Sequence, residues 1–219
     1  MFRLFTYGLA SLRNKALALV FAALAGPATA QDTAILALGD SLTQGYGLLD
    51  HEGFVPQLRG WLAERGHNVR VVNGGVSGDT TAGGLSRVEW SLTPDIKGMI
   101  VALGGNDLLR GIDPDVSRAN IDGILKVAQA NDIQVLLVGM QAPGNYGPDY
   151  KAAFDALYPE LAESYGTLYA PSFFGSLLEE VDLTAFMQYD GIHPNADGVA
   201  RIVSDLGPKV EALIARLSQ

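Results

Sequence analysis

Cysteine is absent from this chain of 219 residues, and histidine occurs only three times, as His51, His67 and His193. Without cysteine there can be no thiol nucleophile, no disulfide and no thiolate zinc site. A chain with so few histidines is also a poor candidate for a multi-histidine metal centre. These absences exclude every function that depends on thiols.

Basic residues are scarce as well, because 15 lysines and arginines stand against 24 aspartates and glutamates, a formal net charge of −9. An acidic surface repels phosphate backbones and anionic lipid headgroups, so we expect no nucleic-acid partner. Three motifs are also missing: a Walker A loop, a G-x-G-x-x-G after a strand, and the G-x-S-x-G elbow. Their absence argues against nucleotide cofactors and against hydrolases of the elbow type.

The chain also lacks an apolar run long enough to span a membrane, although a shorter apolar run lies near the N-terminus. The first thirty residues carry three basic side chains and no acid, with an apolar run over 16–25 and Ala-Thr-Ala at 28–30. This is the layout of a secretory signal peptide, and the run is shorter than the roughly 20 residues that span a membrane. We therefore expect removal of 1–30, which leaves 31–219 as a single domain by length, with no membrane span.

Short β-rich apolar runs alternate along the remaining chain with longer segments whose apolar residues recur at helical spacing. Strands are predicted at 33–38, 69–73, 98–105, 133–139 and 167–171. Helices are predicted at 54–66, 84–92, 115–131 and 148–165, and a last helix follows Asn195, a good N-cap. The alternation indicates an α/β fold with a parallel sheet of about five strands, covered on both faces. Ligands of such sheets bind at the carboxyl ends of the strands.

Ser41 is the candidate nucleophile, in Gly-Asp-Ser-Leu directly after the first predicted strand. A serine on a strand-to-helix turn has an exposed hydroxyl and a backbone N–H nearby, as acyl transfer requires. The alternative is that Ser41 only caps the following helix, which is a common role of serine. The two roles are compatible, so Ser41 does not decide the question by itself.

A base for that serine is offered by Asp190-Gly191-Ile192-His193. An aspartate three residues before a histidine can fold back onto Nδ1, which leaves Nε2 free to face Ser41. The other two histidines lie in a predicted loop and at a helix end. The alternative is a plain turn before the last helix, although Asn195 suffices to cap that helix.

Two further loops follow the second and third predicted strands. Gly78, in a glycine-rich loop, can present its N–H to an oxyanion, and Asn106, in Gly-Gly-Asn-Asp, offers a side-chain amide. Each loop is also compatible with an ordinary β–α turn. However, all these loops should open on the same edge of the sheet, which four unrelated turns would not have to do.

These blocks resemble those of the SGNH (GDSL) hydrolases. GDSL surrounds Ser41, SGDT surrounds Gly78, GGND surrounds Asn106 and DGIHPN surrounds His193, in the order of that family and across essentially all of 31–219. GGNDLLRG, PGNYGPDY and YPELAE are similar to the bacterial thioesterase I, arylesterase and lysophospholipase branch.

The resemblance implies a three-layer α/β/α sandwich with a flavodoxin-like sheet, and no cofactor. It implies a triad in which Ser41 attacks an acyl carbonyl, His193 moves the proton and Asp190 orients His193. It also implies an oxyanion hole formed by the N–H groups of Ser41 and Gly78 and the side chain of Asn106.

An apolar groove beside the serine holds the acyl chain in this family, and the loop that follows GGND, 108–113 here, moves on binding. By position we expect the groove to be lined by Leu108, Leu109, Ala142, Tyr146 and Ile192.

The expected function is that of an exported serine hydrolase that cleaves small-molecule esters or thioesters. The substrate classes are aryl and alkyl esters, acyl thioesters and lysophospholipids. The alternatives are a carbohydrate acetylesterase on the same fold and a non-catalytic binding protein. Sugar grooves are usually lined by exposed aromatics, and the two tryptophans, Trp61 and Trp90, both lie on predicted helices. We also expect a monomer, located in the periplasm or secreted.

Overall fold

Five strands pair in parallel to form one sheet, in the order β2-β1-β3-β4-β5. The structure is a computed structural model that describes residues 33–217; the predicted signal peptide, 1–30, lies outside the described residues. The strands are β1 (Ala34–Gly39), β2 (Arg70–Gly75), β3 (Ile96–Ala102), β4 (Gln134–Val138) and β5 (Leu168–Ala170). The predicted α/β fold with a five-stranded parallel sheet is confirmed.

Helices connect these strands and cover the sheet. They are α1 (Ser41–Gln44), α2 (Phe54–Glu64), α3 (Thr81–Ser91), α4 (Gly105–Leu109), α5 (Pro114–Ala130), α6 (Pro148–Tyr165) and α7 (Ala196–Leu217). From β1 the chain steps first to β2 on one side and then to β3 on the other. Because parallel crossovers are right-handed, α2 lies on one face and α3, α5 and α6 on the opposite face. The packing agrees, since α2 contacts α7, whereas α5 contacts both α3 and α6.

The β1 strand lies between β2 and β3, and its carboxyl end leads to the loop that carries Ser41. Residues 34–38 of β1 are almost completely buried, because helices cover both faces of a parallel strand. At the carboxyl end of β1, Gly39 is paired with Gly75 of β2 and with Ala102 of β3. The loops that follow these three residues therefore leave the sheet at the same level. This confirms that the loops carrying Ser41, Gly78 and Asn106 share one edge.

One helix begins three residues before its predicted start. The helix expected at 84–92 begins at Thr81, because the hydroxyl of Thr80 accepts a hydrogen bond from the Gly83 N–H at 3.3 Å. The first turn of this helix contains two glycines and few apolar residues. The apolar spacing therefore gives no signal there, and the helix start predicted from it was too late.

The contact between α2 and α7 requires a glycine. A Cβ built on Gly207, in the middle of α7, would lie 2.7 Å from the ring of Trp61 on α2. No real Cβ approaches another atom so closely, so the two helices can pack at this distance only because Gly207 has no side chain.

We expect Gly207→Ala to lower the free energy of unfolding by about 1–3 kcal/mol, because the added methyl overpacks against the indole. Gly60→Ala is the matched control, since a Cβ at this exposed α2 position would meet nothing within 4 Å. That change should raise the free energy by about 0.5–1 kcal/mol through helix propensity. Urea unfolding measures both. Equal stabilisation by the two substitutions would contradict the packing of α2 on α7.

Candidate active site

Ser41 is the first residue of α1, and Asp40 caps that helix. The Asp40 carboxylate accepts a hydrogen bond from the Leu42 N–H at 3.0 Å, and Gly45 ends the helix in the left-handed conformation with φ of 90°. The N-cap is therefore Asp40, and the alternative that Ser41 only caps the following helix is wrong. Its hydroxyl instead lies 2.9 Å from Nε2 of His193.

His193 is held from the other side by Asp190. Nδ1 of His193 lies 2.6 Å from one carboxylate oxygen of Asp190, and the other oxygen accepts hydrogen bonds from the N–H groups of Ile192 and His193 at 2.9 and 3.0 Å. Gly191, with φ of 65°, allows this tight turn. The backbone N–H of His193, then its imidazole and then the Ile192 N–H lower the pKa of Asp190 to about 2. Asp190 is therefore ionised at any ordinary pH.

The cap of the last helix is a separate group. The Asn195 side-chain oxygen accepts a hydrogen bond from the Gly198 N–H at 3.0 Å, as the sequence predicts. Asp190 and His193 are thus not needed to begin α7. Asp190 instead holds Nδ1 of His193, so that Nε2 faces the Ser41 hydroxyl.

Two residues that the sequence analysis missed fix the position of the His193 loop. The amide of Gln188 donates to the carbonyl groups of Tyr46 and Pro194 at 2.8 and 2.9 Å, which ties the loop after Ser41 to the loop that carries His193. The Tyr46 ring packs on the imidazole, with ring centroids 4.7 Å apart. The sequence feature that could have pointed to Tyr46 is its position between two glycines, five residues after Ser41.

Two buried acidic side chains, Asp40 and Asp107, support the candidate oxyanion donor Asn106. The side-chain amide of Asn106 donates to Asp40 at 3.3 Å. The next residue, Asp107, is fully buried and accepts hydrogen bonds from the N–H and hydroxyl of Thr81 and from the hydroxyl of Ser117. The α4 turn that carries Asn106 is thereby attached to α3 and α5.

The Gly78 loop has its own anchors. Gly78 adopts φ of 82°, and its carbonyl accepts a hydrogen bond from Arg110 at 2.8 Å. The neighbouring Asp79 forms an ion pair with Arg87 at 2.6 Å, and Arg87 also donates to the carbonyl of Gly39 at the end of β1. These bonds hold Gly78 at the same edge as Ser41.

A cavity of about 710 Å³ opens beside these groups, and its wall includes Ser41, Gly78, Asn106 and His193. Most of the remaining wall is apolar. Four predicted groove residues line it: Leu108, Leu109, Tyr146 and Ile192. The remaining apolar wall residues, which the sequence analysis did not identify, are Leu42, Tyr46, Met140, Pro143, Phe174 and Leu178.

The expectation for Ala142 is wrong, because Ala142 does not line the cavity. The residue is 2% exposed, and its N–H and carbonyl are both hydrogen-bonded to side chains of α6. Its neighbours Gln141 and Pro143 form the wall instead. Neither Trp61 nor Trp90 lines the cavity, so it lacks the tryptophan surface that suits a sugar chain.

Within residues 33–217, no group of three or more histidine, aspartate or glutamate side chains is arranged to hold a metal ion. The helices described in that range include none with the length and hydropathy of a membrane span.

Comparison with known proteins identifies the family of the chain. Residues 37–201 match the model of the GDSL-like Lipase/Acylhydrolase family. The chain is 39% identical to Esterase TesA of Pseudomonas aeruginosa, over 82% of this chain and 89% of that protein. It is 36% identical to Thioesterase 1/protease 1/lysophospholipase L1 of Escherichia coli K12, over 85% and 87%. The crystal structure of AlinE4, an SGNH-hydrolase family esterase, is 44% identical and superposes with a TM-score of 0.69, covering 83% of this chain and 96% of that one.

Fold and site together define an α/β hydrolytic enzyme that has its site at the carboxyl edge of a parallel sheet. The chain belongs to the GDSL-like lipase/acylhydrolase family, and it is a carboxylic ester hydrolase.

Asp40 gives this site a titration that can be measured. Burial raises the pKa of Asp40 from 3.8 to about 6, against the opposing effects of the Leu42 N–H and the Asn106 amide. Between about pH 4 and pH 6 the folded protein therefore holds a proton that the unfolded chain has lost. This group favours folding most below about pH 4, and the contribution is lost as the pH rises through 6.

We expect the free energy of unfolding, relative to that of Asp40→Asn, to fall by up to about 3 kcal/mol between about pH 4 and pH 7. Asparagine keeps the N-cap and does not titrate, so the difference isolates the carboxyl group. Urea unfolding of both proteins across this range measures it. A difference that stays constant with pH would show that Asp40 has an ordinary pKa.

Proposed function

We propose that this protein is an exported serine hydrolase that cleaves carboxylic esters and thioesters through Ser41, His193 and Asp190. The observation that carries the proposal is one continuous hydrogen-bonded chain. It runs from the Ser41 hydroxyl to Nε2 of His193 and from Nδ1 to the Asp190 carboxylate, beside an apolar cavity. This is the geometry of a nucleophile, its base and the group that orients the base.

Acylation begins when the Ser41 oxygen attacks the acyl carbonyl and its proton passes to Nε2 of His193. Asp190, which is ionised because its pKa is low, accepts the Nδ1 proton in a hydrogen bond and stabilises the imidazolium that forms. Nε2 then gives its proton to the departing alkoxide or thiolate. A water molecule, deprotonated by the same nitrogen, later attacks the acyl-serine. Nε2 returns that proton to the Ser41 oxygen as the carboxylic acid leaves.

The negative charge on the carbonyl oxygen would be held by three donors: the N–H groups of Ser41 and Gly78 and the side-chain amide of Asn106. An amide nitrogen has two hydrogens. One points to Asp40 at 3.3 Å, which leaves the other for the oxyanion. The Asp40 carboxylate therefore orients Asn106 before substrate arrives, as electrostatic preorganisation requires.

The cavity suits an uncharged acyl chain of small to medium length. Its volume of about 710 Å³ lies within the range of small-molecule sites. Among the described residues, no lysine, arginine or glutamate lines it, and its one carboxyl group is that of Asp40, next to the serine. The relatives are named as an esterase, an arylesterase and a thioesterase/lysophospholipase. Aryl and alkyl esters, acyl thioesters and lysophospholipids are accordingly the proposed substrates.

We expect Ser41→Ala and His193→Ala each to lower kcat/KM for nitrophenyl esters by about 10⁴-fold or more, because either change breaks the nucleophile–base unit. Asn106→Ala should lower it by about 10²–10³-fold through loss of one oxyanion donor. Hydrolysis of a nitrophenyl series from acetate to palmitate measures each effect. Ser164→Ala, a serine on α6 that only bonds the Glu160 carbonyl, is the control and should retain full activity. Near-normal turnover by folded Ser41→Ala would refute the triad.

Export rests on the sequence of residues 1–30. When the full chain is expressed in a bacterium, we expect the protein recovered from the periplasm or the medium to begin at Gln31, because signal peptidase cleaves after a small-x-small pattern. Mass spectrometry of the intact protein measures this end. A protein that stays in the cytoplasm and still begins at Met1 would contradict the proposal.

A further inference from the structure

One continuous segment, residues 140–146, forms a large part of the cavity wall. It contributes Met140, Gln141, Pro143, Asn145 and Tyr146. The segment lies in the loop between β4 and α6, and this loop contains one short helical turn. In the part of the chain that the structure describes, the only hydrogen bonds that join it to other elements are those of Ala142. The hydrogen bonds of Ala142, together with the packing of the Tyr146 ring on Tyr150, therefore tie this wall to α6.

Ala142 is held by two charged side chains of α6. Its N–H donates to one carboxylate oxygen of Asp155 at 2.7 Å, and its carbonyl accepts from Nζ of Lys151 at 2.6 Å. Nζ of Lys151 also contacts the second carboxylate oxygen of Asp155 at 2.7 Å. The three hydrogen bonds form a closed ring that includes both backbone polar groups of one buried residue.

The ring fixes the two peptide planes on either side of Ala142. The N–H belongs to the peptide bond with Gln141, and the carbonyl belongs to the peptide bond with Pro143, and both of these neighbours line the cavity. A partly exposed Lys–Asp pair four residues apart on a helix contributes little to stability by itself. Hydrogen bonds from charged groups to backbone are stronger and more directional, so this pair acts on the loop rather than on its own helix.

We propose that Lys151 and Asp155 are positioning residues that determine acyl-chain selectivity by fixing the Gln141–Pro143 wall of the cavity. The inference rests on the proposed function, since it concerns the acyl cavity of that site. Neither residue hydrogen-bonds to Ser41, His193, Asp190, Gly78 or Asn106. Loss of the ring should therefore alter the wall and leave the reacting groups in place.

The effect should depend on the length of the acyl chain. An acetyl group needs only the nucleophile, the base and the oxyanion donors, so its hydrolysis should not change. A longer chain gains its binding energy from the wall, so a wall that moves should raise KM for that chain. We expect kcat/KM for octanoate relative to acetate to fall about tenfold, the discrimination that a methylene contact supplies.

The test measures kcat and KM for nitrophenyl acetate and octanoate with wild type, Lys151→Met, Asp155→Ala and Lys151→Arg. The first two substitutions break the ring, and arginine should restore the donor and the selectivity. Lys126→Met is the matched control, because Lys126 and Asp122 form the same kind of pair, 2.6 Å apart, on α5 away from the cavity.

The inference is supported if kcat/KM for octanoate relative to acetate falls in both Lys151→Met and Asp155→Ala. The fall should come from a higher KM for octanoate, while kcat for acetate is unchanged. An unchanged ratio in folded Lys151→Met and Asp155→Ala would overturn it, as would an equal fall in Lys126→Met. Failure of the proposed function is distinguishable, because wild type would then hydrolyse neither ester.

Discussion

The parallel register of β1 with its two neighbours, β2 and β3, is the constraint on which the site depends. Because Gly39 pairs with both Gly75 and Ala102, the loops after β1, β2 and β3 leave the sheet together, at the point where the chain reverses its direction across the sheet. Ser41, Gly78 and Asn106 meet for this reason. His193 arrives from a loop 152 residues after Ser41, and the Gln188 amide joins that loop to Tyr46 beside the serine.

Two carboxylates serve this edge in opposite environments. Asp190 is near solvent, accepts two backbone N–H groups and the imidazole, and has a pKa lowered to about 2. Asp40 is buried below the serine, and its pKa is raised to about 6. The first remains charged, as its proposed role of orienting His193 requires. The second begins the helix of Ser41 with one oxygen and holds Asn106 with the other, so a single buried group sets the positions of the proposed nucleophile and a proposed oxyanion donor.

Much of this could be predicted from the sequence, because the information was local. Alternating apolar patterns indicated the parallel sheet, and short motifs identified Ser41, Gly78, Asn106, Asp190 and His193 as the residues to examine. What could not be predicted depends on tertiary contacts. The role of Tyr46 appears only when residue 188 is placed beside it, and Ala142 turns away from the cavity because two side chains of α6 bind its backbone. The requirement for glycine at 207 likewise comes from an indole on another helix.

The central claim is that His193 activates Ser41 as a nucleophile, and covalent labelling by a fluorophosphonate tests it most directly. The account predicts that one label is incorporated per wild-type chain, that peptide mapping finds it on Ser41, and that His193→Ala is labelled far more slowly while remaining folded. A label on another serine, or an equal labelling rate in the two proteins, would contradict the account, because the hydrogen bond between the two residues would then have no part in the chemistry.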